Sequence, residues 1–127
     1  MSNALISVII VVKNEEQNLP RLLQLIDRQT YRNLEIVLVD NGSTDRTPSI
    51  IEKYSKESLF KVKIDTVLGT LAQAYNRALS MASGEYIAII GGDELPTSTW
   101  MEEHIKCLEK DCDACLAPVV YIPTSKR

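Results

Sequence analysis

Two short, nearly continuous apolar runs separated by a helical repeat place the tightest constraint on how this chain can fold. Residues 5–12 read LISVIIVV and residues 34–39 read LEIVLV, so both are rich in Val, Ile and Leu. Runs of this length and composition are typical of strands that are buried on both faces of a parallel sheet. The segment between them carries apolar residues at helical spacing, with Asn18 as the expected N-cap. A strand, a helix and a second strand in this order predict parallel pairing through a right-handed crossover.

The same alternation continues along the chain. From Phe60 to Asp65 apolar and charged side chains alternate, which predicts a third strand with one wetter face, toward the edge of the sheet. Gly84 is expected to end the third helix in the left-handed region. Thr99 and Glu102 are expected to form a capping box for the last helix. The third helix is predicted to bury one stripe, made of Leu71, Ala74, Tyr75, Ala78, Leu79 and Ala82. The other predicted elements are helices over residues 47–56 and 70–82 and from residue 100, and strands over residues 86–90 and 114–122.

These elements predict one α/β domain with three layers, in which helices cover both faces of a mostly parallel sheet. The length of 127 residues is enough for one core and too short for two domains of ordinary size. Residues 1–4 are interpreted as a possible expression scar, which leaves residues 5–127 as the single domain. A helical bundle is the alternative, and the short Val- and Ile-rich runs bounded by turn residues argue against it.

Charge and hydropathy exclude several functional classes. The formal net charge is -3 and no basic stripe is visible, which argues against nucleic-acid binding. No apolar run approaches the roughly 20 residues that span a bilayer, and the N-terminus lacks the regions of a signal peptide. We therefore expect a cytoplasmic protein without a membrane span. The three cysteines are an odd number outside a secretory context, so we expect free thiols.

Polar turns follow three of the predicted strands, at residues 13–16, 40–45 and 91–94. Ligands of open parallel sheets bind outside the carboxyl ends of the strands. If the three strands are neighbours, these turns therefore converge on one cleft, where Asp40 and Asp93 are expected to hold a phosphate-bearing ligand.

The cleft predicted in this way is acidic. The chain has neither the glycine-rich dinucleotide fingerprint nor a phosphate-binding P-loop, so a bound phosphate needs a cation between it and the carboxylates. Mg²⁺ or Mn²⁺ fits, since such ions are commonly held by one or two carboxylates while phosphates and waters fill the other positions. Asp93 is the expected metal ligand, with Glu94 beside it. Gly91 and Gly92 allow close backbone approach by a bulky ligand and are counted with the donor-binding residues.

Four blocks of this sequence resemble family 2 glycosyltransferases. Residues 6–16, ISVIIVVKNEE, look like the family's opening S-V-I-I-P-x-x-N-E. Residues 35–47, EIVLVDNGSTDRT, are similar to its E-I-I-V-V-D-D/N-G-S-T-D-x-T. Residues 74–87 keep the spacing of its A-R-N-x-G-x-x-x-A-x-G-E-Y-I, and residues 91–93 occupy the place of its D-x-D motif.

The resemblance implies a GT-A fold, here truncated, whose N-terminal half binds a nucleoside diphosphate sugar. Members of the family transfer the sugar to an acceptor with inversion and use a divalent metal to stabilise the diphosphate leaving group. By position, Val11 lies where the first strand meets the nucleotide, Asp40 where the base and ribose are read, and Asp93 at the metal. Asn14 and Glu15 stay open between direct contact with the ligand and a structural role in their turn.

Three departures from the family pattern accompany the resemblance. Gly91 replaces the first Asp of the D-x-D motif. Tyr75 replaces the Arg that precedes the Asn of the third helix, and Arg77 lies about 200° away around that helix. The chain ends at Arg127, before the place where the family has its catalytic base and most of its acceptor site, so neither the base nor the acceptor is identified.

These departures leave a second function open, that of a catalytically inactive module that binds a nucleotide sugar or another protein. A phosphoacceptor regulatory domain is more distant, because the strand-end lysine it requires is not found. A zinc site made of His104, Cys107, Cys112 and Cys115 is disfavoured by the helix and strand phases of these residues. A second copy of the chain could cover an exposed sheet edge, so a homo-oligomer is also open.

Overall fold

The structure, a computed structural model, describes residues 3–108. In this range four strands alternate with four helices. The elements are β1 (Ile6–Val12), α1 (Leu19–Asp27), β2 (Leu34–Asp40), α2 (Thr47–Glu57), β3 (Lys61–Thr66), α3 (Leu71–Met81), β4 (Tyr86–Ile89) and α4 (Trp100–Leu108).

The four strands form one parallel sheet in the order β3-β2-β1-β4. β1 pairs with β2 from Ile6, opposite Leu34, to Val12, opposite Asp40. On its other side β1 pairs with β4. The strands that precede the three polar turns are therefore neighbours, and β3 lies at an edge as its alternating pattern predicted.

Alternate side chains of β1 face two different helix layers. Its even-numbered residues belong to a core shared with α1, α2 and α4, whereas Ile9 and Val11 belong to a smaller core shared with α3. Right-handed crossovers produce this division, because two of them run from β1 toward β3 and the third returns to β4 across the opposite face. The predicted three-layer α/β/α architecture is confirmed.

Helix α3 buries less than the periodicity predicted. Ala74 and Ala78 are fully buried, but Leu71 is 58% and Leu79 is 42% exposed. The two alanines let the helix lie close to the sheet, so longer side chains of the stripe project beside the contact. The N-terminus of the helix carries a capping box between Thr70 and Gln73, which the sequence reading missed.

Gly84 does not adopt the left-handed conformation that was predicted. Among the glycines of residues 3–108, positive φ occurs at Gly42, with 82°. A Cβ on Gly84 would lie 2.6 Å from the Ser7 Oγ and 2.8 Å from the Leu5 carbonyl oxygen. Glycine is therefore needed here for the close approach of this backbone to β1.

The start of α4 also differs from the prediction. The Glu102 carboxylate accepts a hydrogen bond from the Thr30 hydroxyl at 2.7 Å, and the Thr99 hydroxyl donates to Glu103 at 2.7 Å. Glu102 therefore contacts the segment after α1 and does not form the predicted capping box with Thr99.

The expectation of free thiols is wrong for Cys107, which is disulfide-bonded, because the number of cysteines in a sequence does not show which thiols lie within bonding distance. The predicted strand over residues 114–122 lies outside the described residues. Within residues 3–108, no helix is long and apolar enough to cross a membrane.

A buried ion pair that was not predicted joins three strands on the α3 face of the sheet. Glu35 is 1% exposed and accepts hydrogen bonds from the Ser7 hydroxyl and the Ser83 backbone N–H, both at 2.6 Å. The Lys63 Nζ lies 3.1 Å from its Oε1. Burial alone raises the pKa of the Glu35 carboxyl, but the hydrogen bonds from Ser7, Ser83 and Lys63 outweigh it and lower that pKa from 4.5 to about 2. The carboxylate thus ties β1, β2, β3 and the link between α3 and β4 together in its ionised form.

Replacing Glu35 by Gln is expected to lower the free energy of unfolding by about 3 kcal/mol at pH 7, since each pKa unit is worth about 1.4 kcal/mol. A carboxyl with a lowered pKa stabilises the fold above its unfolded pKa, and this stabilisation is lost as the pH falls through the folded pKa. The difference between wild type and Glu35→Gln should therefore shrink between pH 4.5 and pH 2.

Urea unfolding at pH 7 and pH 3 measures this difference. Glu52→Gln is the matched control, because Glu52 forms an exposed pair with Lys56, and it should cost less than about 1 kcal/mol. A Glu35→Gln effect as small as that of the control, or one independent of pH, would contradict the structural role of the network.

Candidate functional site

The three polar turns converge at the carboxyl edge of the sheet. Val12 is paired with Asp40, and the Asn41 N–H donates to the Val12 carbonyl oxygen at 2.8 Å. On the other side of β1, a Cβ on Gly92 would lie 2.6 Å from the Val12 Cγ1 and 3.2 Å from the Glu15 Cγ. The turn after β4 therefore packs directly against the end of β1, and Gly92 is required for that contact.

Hydrogen bonds join the turn after β1 to the turn after β2. Asn14 has a φ of 54°. Its N–H donates to the Ser43 Oγ at 2.8 Å and its Oδ1 accepts from the Thr44 N–H at 2.8 Å. The Glu15 N–H donates to the Thr47 Oγ1 at 2.9 Å. Asn14 and Glu15, which the sequence left open between two roles, thus have a structural role in this junction.

Asp45 extends the same junction. Its carboxylate accepts hydrogen bonds from the backbone N–H groups of Glu16 at 3.2 Å and Thr47 at 2.9 Å. Burial works to raise the pKa of Asp45, but the hydrogen bonds from Thr47 and Glu16 prevail and lower it. The carboxylate therefore remains an acceptor for both turns at neutral pH.

Asp40 ends β2 and is 4% exposed. One carboxylate oxygen accepts from the Ser43 N–H at 3.0 Å and the other accepts from the Ser43 hydroxyl. The side chain thus closes the turn that carries Gly42, while it also lines a cleft of about 480 Å³ between α2 and the carboxyl ends of β2 and β3. Its contact with a base or ribose stays a prediction.

The turn after β4 holds two further buried acids. Asp93 is 6% and Glu94 is 7% exposed. The Glu94 Oε1 accepts from the Gly91 N–H at 2.7 Å, and the Glu94 N–H donates to the Gly91 carbonyl oxygen at 3.1 Å. Glu94 therefore fixes the conformation of its own turn, and Asp93 lies beside it at the edge of the sheet.

Asp93 and Glu94 are the described carboxylates that the predicted divalent metal would use. Within residues 3–108, no group of three or more His, Cys, Asp or Glu side chains could hold a metal ion alone. Two adjacent buried carboxylates match the way Mg²⁺ and Mn²⁺ bind next to substrate phosphates, with one or two protein ligands. The two carboxylates are thus compatible with the predicted metal.

Val11 lies on the α3 face of β1 and is 7% exposed. Tyr75 packs against the same small core, at the position where the family pattern has Arg. The Nε of Arg77 pairs with the Asp65 Oδ2 at 2.6 Å, and this hydrogen bond lowers the pKa of Asp65. Arg77 therefore pairs with a residue of β3. This agrees with the expectation that Arg77 does not simply replace the Arg that the family pattern has at position 75.

The sequence reading missed two residues that shape this site. Ser43 bonds to both Asp40 and Asn14, and Asn41 holds the loop before α3 through the carbonyl oxygens of Val67 at 2.8 Å and Gly69 at 3.1 Å. The signal for Ser43 was present, because Ser three residues after Asp in a turn often closes a side-chain hydrogen bond.

Replacing Asn14 by Ala is expected to cost about 2 kcal/mol of unfolding free energy, roughly 1 for the lost hydrogen bond and roughly 1 for the left-handed backbone. Asn14→Gly is the matched control, since glycine accepts the positive φ and loses only the side-chain bond. Urea unfolding of both variants should therefore show about half the loss for Asn14→Gly, whereas equal losses would show that the backbone conformation carries no cost.

The family described as Glycosyl transferase family 2 matches residues 7–127. Glycosyltransferase GlyG of Streptococcus pneumoniae serotype 4 is 35% identical over 114 residues, which are 88% of this chain and 38% of GlyG.

Solved structures agree. TarS 1-349 of S. aureus matches with a TM-score of 0.74 at 26% identity, over 83% of this chain and 32% of that chain, and its complex with UDP matches with a TM-score of 0.73. The mannosyltransferase PcManGT of Pyrobaculum calidifontis, in complex with GDP-Man and Mn²⁺, matches with a TM-score of 0.66 at 32% identity, over 71% of this chain and 28% of that chain.

The chain therefore spans well under half the length of each of these proteins. The sequence blocks, the fold and the match over residues 7–127 agree, and the chain belongs to glycosyltransferase family 2.

Proposed function

We propose that this chain is the donor-binding part of a glycosyltransferase and holds a nucleoside diphosphate sugar at the carboxyl edge of its sheet. The observation that carries the proposal is the convergence of the Asp40 turn and the Gly91–Asp93 turn on the end of β1. Two matching structures add support, since TarS was solved with UDP and PcManGT with GDP-Man and Mn²⁺.

Each predicted residue except Asn14 and Glu15, which join the turns after β1 and β2, has a ligand-binding task in this proposal. Val11 forms the wall at the end of the central strand, and Asp40 accepts hydrogen bonds from the nucleoside. Gly92 lets the turn after β4 pack against Val12 and Glu15, and Gly91 leaves the backbone of this turn open to the diphosphate. Asp93, with Glu94 beside it, would hold Mg²⁺ or Mn²⁺, which would supply a Lewis acid for the charge that develops on the diphosphate.

Transfer of the sugar also requires an acceptor whose hydroxyl is deprotonated as it attacks. We assign no residue of this chain to that task. The proposed inverting reaction therefore depends on groups beyond those identified, from a longer protein or a partner.

A second candidate is a module that binds the nucleotide sugar or another protein without catalysis. The observation that favours it is Gly91, which leaves a single aspartate where the family motif has two. An assay of sugar transfer or donor hydrolysis by the protein separates the two, because turnover by this site would exclude the inactive module.

Titration calorimetry with UDP, GDP and dTDP, with and without Mn²⁺, tests the donor site. We expect one nucleotide to bind more tightly with Mn²⁺. Asp93→Asn removes the ligand charge while keeping the side-chain shape, so it should reduce the metal-dependent affinity by at least about tenfold.

Glu85→Gln is the matched control for this experiment. Glu85 is an exposed acid at the amino end of β4, at the opposite edge of the sheet, so its loss should leave binding within about twofold. Nucleotide binding that needs no metal and is unaffected by Asp93→Asn would refute the metal role.

A further inference from the structure

Strand β3 lies at an edge of the sheet, and exposed apolar side chains line that edge. Within residues 3–108, β3 pairs with β2 and with no other strand. Ile64, inside the strand, is 43% exposed, while Leu59 and Leu68, just before and just after it, are 95% and 83% exposed. Apolar side chains next to an unpaired strand edge are typical of a place where another chain docks.

The backbone of β3 directs every second residue away from β2. The Val67 N–H donates to the Asp40 carbonyl oxygen of β2 at 2.8 Å. Backbone N–H and C=O groups of a strand point to the same side at every second residue. The N–H and C=O groups of Val62, Ile64 and Thr66 therefore face the outer edge.

Two of the outward N–H groups are already bonded within the chain, one near each end of the strand. The Phe60 N–H donates to the Ser58 Oγ at 3.1 Å, and the Thr66 N–H donates to the Asp65 Oδ1 at 2.8 Å. Among the described residues, no such bond is found for the outward N–H groups of Val62 and Ile64. The open donors thus lie in the middle of the strand.

The charged side chains of β3 give this edge little protection. Lysine on an edge strand commonly keeps other strands away. Lys63, however, is bound to Glu35, and Asp65 is bound to Arg77. Of the charged residues of β3, only Lys61 takes part in none of the ion pairs found within residues 3–108.

The other edge of the described sheet is less open. The Ile90 N–H donates to the Ile9 carbonyl oxygen at 3.1 Å, so the odd-numbered residues of β4 face outward. The His104 imidazole of α4 interacts with the backbone of Ile87, one of these outward residues. A side chain of the fold itself therefore reaches this edge, and β3 is the better candidate for docking.

A second copy of this chain fits the β3 edge because the edge is complementary to itself. About a twofold axis two copies of β3 run antiparallel, which brings Leu59 of each copy toward Leu68 of the other. A register with Ile64 opposite its own copy sets Lys63 opposite Asp65, a pair of opposite charge. A register centred on Lys63 would instead set two lysines opposite each other.

We propose that β3 pairs antiparallel with β3 of a second copy, with Ile64 at the twofold axis, so that the two sheets become continuous. The two Ile64 residues exchange N–H to C=O hydrogen bonds, and each Val62 N–H donates to the Thr66 carbonyl oxygen of the other copy. These four bonds use the open donors and break no bond of the monomer. A single strand pair is a small interface, so the dimer is weak and depends on concentration.

Sedimentation equilibrium from about 10 to about 500 µM tests the proposal, and the mass should rise toward twice that of the monomer. Ile64→Lys sets two ammonium groups opposite each other and should weaken the dimer at least about tenfold. Ile89→Lys is the matched control, because Ile89 is 52% exposed on β4, and it should leave the dimer within about twofold. Urea unfolding checks that both variants fold.

Hydrogen exchange of the unaltered protein gives a second readout that needs no variant. Exchange of the Val62 and Ile64 amides should slow at least about fivefold from the lowest to the highest concentration, because pairing protects them. The Lys63 amide, which faces β2, should exchange at the same rate throughout.

Three results would overturn the proposal. One is a monomer at every concentration, which would leave the edge to some other partner or to solvent. Another is a dimer that Ile89→Lys disrupts and Ile64→Lys leaves intact, since that places the interface on β4. The third is exchange of the Val62 and Ile64 amides that does not depend on concentration.

Discussion

The parallel pairing of β1 with two partners is the constraint on which the rest of this structure depends. Because β1 lies between β2 and β4, the polar turns that follow these three strands meet at its end. The sheet reverses its direction of growth at this strand, which is where open α/β sheets bind ligands. All seven residues of β1 are buried. The core therefore fixes the position of this strand and of the turns that meet at its end. The loops need only a few hydrogen bonds to complete it.

The buried acid on the α3 face of the sheet has partners from the fold itself. On the α3 face, the Glu35 carboxylate is matched by Lys63 and by hydroxyl and backbone donors. This network stabilises the fold and leaves little for a ligand to use. At the carboxyl edge, the turns hold three buried acids, Asp40, Asp93 and Glu94, and buried carboxylates of this kind are candidates for a functional site.

Much of the fold could be predicted from the sequence. Strands buried on both faces appear as short apolar runs, and helices appear as apolar residues at helical spacing, so both can be recognised from neighbouring residues. The convergence of the turns followed from the same patterns. The bond between Asn14 and Thr44 could not be predicted, since it joins loops 30 residues apart. Gly84 was misread for a similar reason, because its role is set by the strand it approaches. Tertiary contacts likewise replaced the predicted cap at Glu102, and ligand roles for Asp40 and Asp93 stay predictions.

The central claim is that a nucleoside diphosphate binds where the three turns meet. A ¹⁵N-NMR titration of the labelled chain with UDP, GDP and dTDP, in the presence of Mg²⁺, tests it most directly. The claim predicts that one nucleotide shifts the amide signals of residues 11–15, 40–45 and 91–94 together. Shifts confined to the cleft between α2 and β3, around Ser55 and Thr66, or no shifts with any of the three nucleotides, would contradict it.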